Sequence, residues 1–229
     1  MKHFISTCIL AIGTLFMANA QEEAAPTPNR FGFGVRMGFG LSTLSGEGYF
    51  DDTDPIFNLN VGAAVMYGLS PKVDLETGLY YTKKGFYAEP PLDYEVTCNL
   101  YYLEIPVMVG YKWEVSDPLK INFMAGPYVA YGVNGKTKAK LGLETYEPTG
   151  NNESEKTESG NNESEKTINT DSFEDGFNRF DSGVKASINF TIKKDFLLGV
   201  TYEHGFANVS DTKDDAFNRT VALTLGFNF

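Results

Sequence analysis

Histidine, cysteine and tryptophan are nearly missing: 229 residues contain two His, two Cys and one Trp. Cys8 lies in the apolar opening stretch, which leaves Cys98 without a partner for an intramolecular disulfide and excludes a cysteine-based metal cluster. His3 falls in the same stretch, and His204 alone makes no multi-histidine site. No metal or cofactor is predicted. Positive charge is also short, with 19 Lys and Arg against 30 Asp and Glu and a formal net charge of −11. Such a chain is a poor partner for nucleic acid. Beyond residue 20 no run approaches the roughly 20 apolar residues of a membrane-spanning helix.

The first twenty residues carry Lys2 and His3, an apolar run from Phe4 to Met17, and Ala18-Asn19-Ala20 before Gln21. A basic start, a short apolar stretch and an A-x-A-like site predict a cleaved secretory signal over 1–20. Residues 21–30, with Pro26 and Pro28, read as a periplasmic lead-in, and 31–229 as one domain. An exported chain without a spanning helix is either soluble or a β-barrel, because a closed barrel also satisfies every backbone group in lipid.

What the chain does have is alternation. In Phe217–Phe229, Phe217, Val221, Leu223, Leu225, Phe227 and Phe229 share one parity, while Asn218, Thr220, Ala222, Thr224, Gly226 and Asn228 share the other. A strand sends alternate side chains to opposite faces, so this segment has an apolar face and a small, polar one. The same period of two returns in Phe31 to Leu44, Phe57 to Leu69, Val73 to Tyr81, Leu100 to Trp113, Leu119 to Val133, Phe177 to Ile192 and Phe196 to Phe206. The glycines of the first segment, 32, 34, 38 and 40, keep that period, so they line an interior rather than form a dinucleotide loop. Pro106 and Pro127 donate no ladder hydrogen bond and predict local bulges.

Eight such segments joined by alternately long and short connections predict an all-β, eight-stranded antiparallel up-and-down transmembrane barrel. A soluble lipocalin-like barrel would be apolar inside and polar outside. The long connections include 136–176, where Asn151-Asn-Glu-Ser-Glu-Lys-Thr157 recurs at 161–167 in a low-complexity polar stretch. Aromatics fall at both ends of the outward parity. Tyr81, Tyr101, Tyr131, Phe180, Tyr202 and Phe217 lie near the long loops; Phe31, Tyr67, Tyr111, Trp113, Phe190 and Phe229 lie near the short turns. These are the predicted membrane-interface girdles.

The inward parity collects Arg36, Asp74, Glu76, Glu104, Lys112, Asp181, Lys185 and Glu203. Unpaired charges in a narrow barrel are costly, so these are expected to pair with one another. An eight-stranded barrel is just wide enough for side chains to fill, which favours a polar plug over an ion path. Catalysis of acyl transfer or proteolysis needs a base and a nucleophile in hydrogen-bond reach. His204 points outward by parity and no nucleophile is placed beside it, so a non-enzymatic protein is expected. The loop acids Asp51, Asp52 and Asp54, and those of the repeat, lack calcium-loop spacing and read as a solvated surface.

Tyr102-Leu-Glu-Ile-Pro-Val-Met-Val109, Phe177-Asn-Arg-Phe-Asp-Ser-Gly183 and the Phe-ended last strand resemble the small outer-membrane β-barrel family of Bacteroidetes, often called porin-family or PorT-like. The resemblance spans essentially the whole expected mature chain and implies a barrel in the outer membrane with both termini in the periplasm. It implies contact with outer-membrane lipid and lipopolysaccharide, and with the barrel-assembly machinery through the C-terminal strand. It leaves a monomeric scaffold or surface-binding protein, a narrow passive porin and a part of a secretion machine as readings. A protein or glycan ligand would meet the outer loops.

Overall fold

The computed structural model describes residues 31–51, 53–89, 94–141, 166–174, 176–193 and 195–229. The predicted signal, the lead-in and most of the tandem repeat lie outside these residues. Among the described residues nine strands form: β1 (Phe31–Gly46), β2 (Asp54–Gly68), β3 (Val73–Ala88), β4 (Tyr94–Ser116), β5 (Leu119–Leu141), β6 (Lys166–Thr170), β7 (Phe180–Ile192), β8 (Phe196–Gly205) and β9 (Ala216–Asn228). A 3-10 turn, Gly48–Phe50, follows β1. No helix among the described residues is long and apolar enough to cross a membrane.

Each strand pairs antiparallel with the next in a ring. The order β4-β3-β2-β1-β9-β8-β7-β5 is closed by β4 against β5. Eight strands therefore make the barrel, as the alternation predicts. The ninth, β6, lies in the long connection and pairs with the top of β5, from Thr137↔Thr170 to Leu141↔Lys166.

Burial follows the parity. Along β7, Phe180, Val184, Ala186, Ile188 and Phe190 are exposed while Asp181, Gly183, Lys185 and Asn189 are buried. The outer surface is a belt of large apolar side chains, including Phe33, Leu59, Leu79, Ile105, Val129, Val200 and Leu223. Each buries its Cβ side on the sheet and leaves the rest to lipid. The interior is filled rather than hollow, and small residues make this possible. A Cβ on Gly62 would lie 2.4 Å from the Leu79 carbonyl oxygen and 2.6 Å from the Tyr80 ring, so the inward Tyr80 occupies space that Gly62 vacates.

Several boundaries differ from the sequence expectation. β3 continues to Ala88 and β4 begins at Tyr94, so most of the stretch expected as a loop from Phe86 to Asn99 is a hairpin rising above the ring. β5 runs on to Leu141 for the same reason. β7 starts at Phe180; Phe177 instead makes an isolated bridge to Ser210 and packs on the core. The bulges expected at Pro106 and Pro127 are absent. Pro106↔Tyr128 and Val109↔Ala125 keep one register, and so do Pro127↔Val184 and its neighbours. The Thr77 hydroxyl donates to the Pro106 carbonyl at 2.7 Å, satisfying backbone where the ladder is interrupted. The irregularities sit elsewhere: toward the long loops between Tyr101 and Tyr102 against β5 and between Pro55 and Leu59 against β3, and at the short-turn end between Glu114 and Ser116.

Candidate functional site: the filled lumen

All eight inward charges predicted from parity face the lumen, but they form three groups rather than one network. Nearest the short turns, Lys112 Nζ lies 3.1 Å from Asp74 Oδ2, and Asn122 Nδ2 donates to the same oxygen at 3.4 Å. Next, Arg36 Nη2 meets Glu76 Oε2 at 2.9 Å and Met66 Sδ at 3.4 Å. The Tyr80 hydroxyl donates to Glu76 Oε1 at 3.5 Å. The third group is the most buried. Lys185 Nζ lies 2.8 Å from Glu104 Oε1 and 2.7 Å from Glu203 Oε1.

Its centre is a residue that the parity analysis left out, Lys84. This side chain is fully buried, with Nζ 3.1 Å from Glu104 Oε2, 3.2 Å from Asp181 Oδ2 and 3.1 Å from Glu203 Oε2. The geometry to Asp181 is that of a hydrogen bond, whereas Glu104 and Glu203 meet the ammonium as close ion pairs without that alignment. Nζ also lies 4.3 Å from the centroid of the Tyr128 ring. The Tyr128 hydroxyl and Asn218 Nδ2 donate to Asp181 Oδ2 at 3.2 and 3.0 Å. Two lysines and three carboxylates from β3, β4, β7 and β8 thus form a knot across the barrel, with β5 and β9 bound in by Tyr128 and Asn218. Mutual pairing is what makes five charges tolerable in so little water. Lys84 has the same parity as Glu76 and Tyr80, so the signal was there; Lys83-Lys84-Gly85 reads as a turn once strand three is ended at Tyr81.

The lumen above the knot corrects the expectation of a polar interior. Leu44, Phe50, Phe86, Leu100, Tyr102, Phe173 and Val209 form a buried apolar cluster there. Phe50 meets Phe86 edge to face at 5.7 Å, and Phe173 meets Tyr102 at 5.7 Å. A Cβ on Gly132 would lie 2.2 Å from the Phe173 ring, so the loop aromatic drops into a notch left by glycine. Cys98 is buried in this cluster, its thiol 3.6 Å from Thr137 Oγ1 and 3.8 Å from Ser172 Oγ. Below the knot a cavity of about 30 Å³ lies between Arg36, Tyr80, Met124 and Lys185. A larger one of about 200 Å³, between Lys112, Lys120, Asn122 and Asn228, is at the short-turn end.

Of the predicted interface aromatics, Phe31, Tyr81, Tyr111, Trp113, Tyr131, Phe180, Phe190, Tyr202 and Phe229 are exposed on the outer face. Tyr67, Tyr101 and Phe217 are half-buried there, Tyr67 against Phe31 at 4.9 Å and Tyr101 stacked on Tyr81 at 5.8 Å. His204 stands on that face too, with Nδ1 3.1 Å from the Tyr202 hydroxyl and its ring beside Phe206. Among the described residues no three His, Cys, Asp or Glu side chains are grouped to hold a metal ion.

A closed ring of eight strands, apolar outside and charged within, is the architecture of an outer-membrane barrel. The family described as outer membrane protein beta-barrel domain matches residues 19–211. The chain belongs to that family. Its place is accordingly the outer membrane. No curated protein matches this outer-membrane barrel by sequence. Solved structures resemble it distantly. Neisserial surface protein A is 13% identical over 86% of this chain and 97% of its own, with a TM-score of 0.47. OprG from Pseudomonas aeruginosa is 11% identical over 86% and 95%, at 0.46. The attachment invasion locus protein Ail of Yersinia pestis is 14% identical over 88% and 100%, at 0.40. None of these likenesses transfers an activity to this barrel.

Proposed function

We propose that this barrel is a non-enzymatic, membrane-embedded scaffold or surface-binding protein whose lumen stays sealed and whose long loops face outward. The observation that carries this reading is the Lys84 knot capped by the Phe50, Phe86 and Phe173 cluster: ion pairs lock opposite walls together and loop aromatics close the end above them. With the interior occupied, the parts left to meet a ligand are the loops and the rims. A narrow porin is the second reading, favoured by the 200 Å³ cavity at the short-turn end; it requires the knot to part.

The test is single-channel conductance of the folded mature protein in a planar bilayer, with a heat-modifiability gel as the folding control. The expected result is a folded and silent barrel. Stable, reproducible conductance from folded protein would overturn the sealed reading and turn the inward charges into a selectivity lining.

A further inference from the structure

The hairpin of β4 and β5 carries the barrel wall above the upper aromatic girdle, and its outer face is basic. Lys136, Lys138 and Lys140 alternate along β5 and are exposed. Register places them opposite Asn99, Thr97 and Glu95 of β4, on the face that continues downward into Tyr101 and Leu103. On the next strand Lys83 pairs with Tyr101, beside the Tyr81–Tyr101 stack. Four lysines therefore rise from the girdle in a chain whose net charge is −11. Lys140 is 3.6 Å from Glu95, both half exposed. Among the described residues Lys136 and Lys138 have no carboxylate within ion-pair distance. The patch is not the by-product of a basic protein; the charge is concentrated on one sheet face directly above the lipid belt.

Alternate residues of a strand repeat every 6.5–7 Å or so. The three β5 lysines thus offer ammonium groups at successive heights above the acyl region, and each stem can lie along the sheet with its charge reaching outward or down toward the interface. What lies against such a wall on the long-loop side is the headgroup of the surrounding lipid. We infer that Lys83, Lys136, Lys138 and Lys140 form a binding site for lipopolysaccharide, taking the phosphates of lipid A at the girdle and the acidic groups of the inner core above it. This rests on the reading that the long loops face outward.

The test uses the folded full-length mature protein in detergent, where orientation plays no part. Binding of bis-phosphorylated lipid A, of enzymatically dephosphorylated lipid A and of whole lipopolysaccharide is measured by native mass spectrometry and salt titration. Variants are Lys136→Gln/Lys138→Gln/Lys140→Gln and, as a control away from the patch, Lys213→Gln. At roughly fivefold per lysine near an anionic surface, the triple variant should lose affinity for lipopolysaccharide by about a hundredfold. The control should keep it, the dephosphorylated lipid should bind weakly to both, and affinity should fall with salt. Equal binding by the wild type and the triple variant, or no preference for phosphate, overturns the proposal. Occupation of the ladder by the acidic segment 142–165 predicts instead that the wild type binds only after that segment is deleted, which also overturns it. Binding in detergent from a barrel whose loops prove to face the periplasm would sink the orientation and leave the site.

Discussion

Lys84 shows how much one buried cation can organise. Among the described residues it is the one cation that touches all of Glu104, Asp181 and Glu203; replacing it with Met leaves Glu104 and Glu203 to Lys185 and leaves Asp181 with the neutral donors Tyr128 and Asn218 alone. Breaking a buried pair from one side costs about 3–5 kcal/mol, because the orphaned charge remains. Lys84→Met is therefore expected to lower unfolding stability by that order in a urea titration of the folded barrel. Lys84→Met combined with Asp181→Asn should lose less than the two single effects added together. Arg36→Met, which frees one partly exposed carboxylate, should cost less than Lys84→Met. At this scale much was legible: inward parity named eight lumen charges by number. The grouping was not, because parity says which side of the wall a residue is on and nothing about which residue faces it. Phe50, Phe173 and Val209 were illegible for a different reason, since they come from connections between strands and belong to neither parity.

Strands carry the second scale. Alternation placed the eight barrel strands yet misplaced their upper ends, and the two prolines predicted bulges that do not form. Pro106 lies where the pairing of β3 with β4 is interrupted, and its carbonyl accepts from the Thr77 side chain. Thr77→Val is expected to cost about 1 kcal/mol, the worth of one such hydrogen bond, with the barrel still folding. Gly62→Ala should be worse. Its methyl would press on backbone and on the Tyr80 ring, an overpacking penalty of about 1–3 kcal/mol in the same titration. The upward reach of β3, β4 and β5 was hidden because Lys136 to Lys140 are polar on one face and small on the other, a composition shared with loops. Their pairing with β4, and that of β5 with the distant β6, decides that they are strands.

Orientation belongs to the whole molecule. Cys98 is fully buried, so with Cys8 replaced by Ser a membrane-impermeant maleimide reports only on introduced thiols. Lys213→Cys, in the exposed connection between β8 and β9, should label on intact cells. Asp195→Cys, in the exposed turn at the other end, should label only after the outer membrane is opened. The opposite pattern would place the lysine ladder and the aromatic cap on the periplasmic side and rule out the surface-binding reading.

The sequence by itself determined the class of this protein. Period two, apolar on one face and charged on the other, is a local property, and with no apolar run of about 20 residues beyond residue 20 it specifies a barrel turned toward lipid. Local pattern also determined which charges are inside. Tertiary structure decided what they do. The stagger of strands around the closed ring brings Lys84 of β3 to Asp181 of β7 and Glu203 of β8, and a one-residue change of register would have sent each to the other face. Closure likewise seats the loop aromatic Phe173 over that knot, in the space that Gly132 of β5 leaves, while Gly62 of β2 makes room for Tyr80 below it.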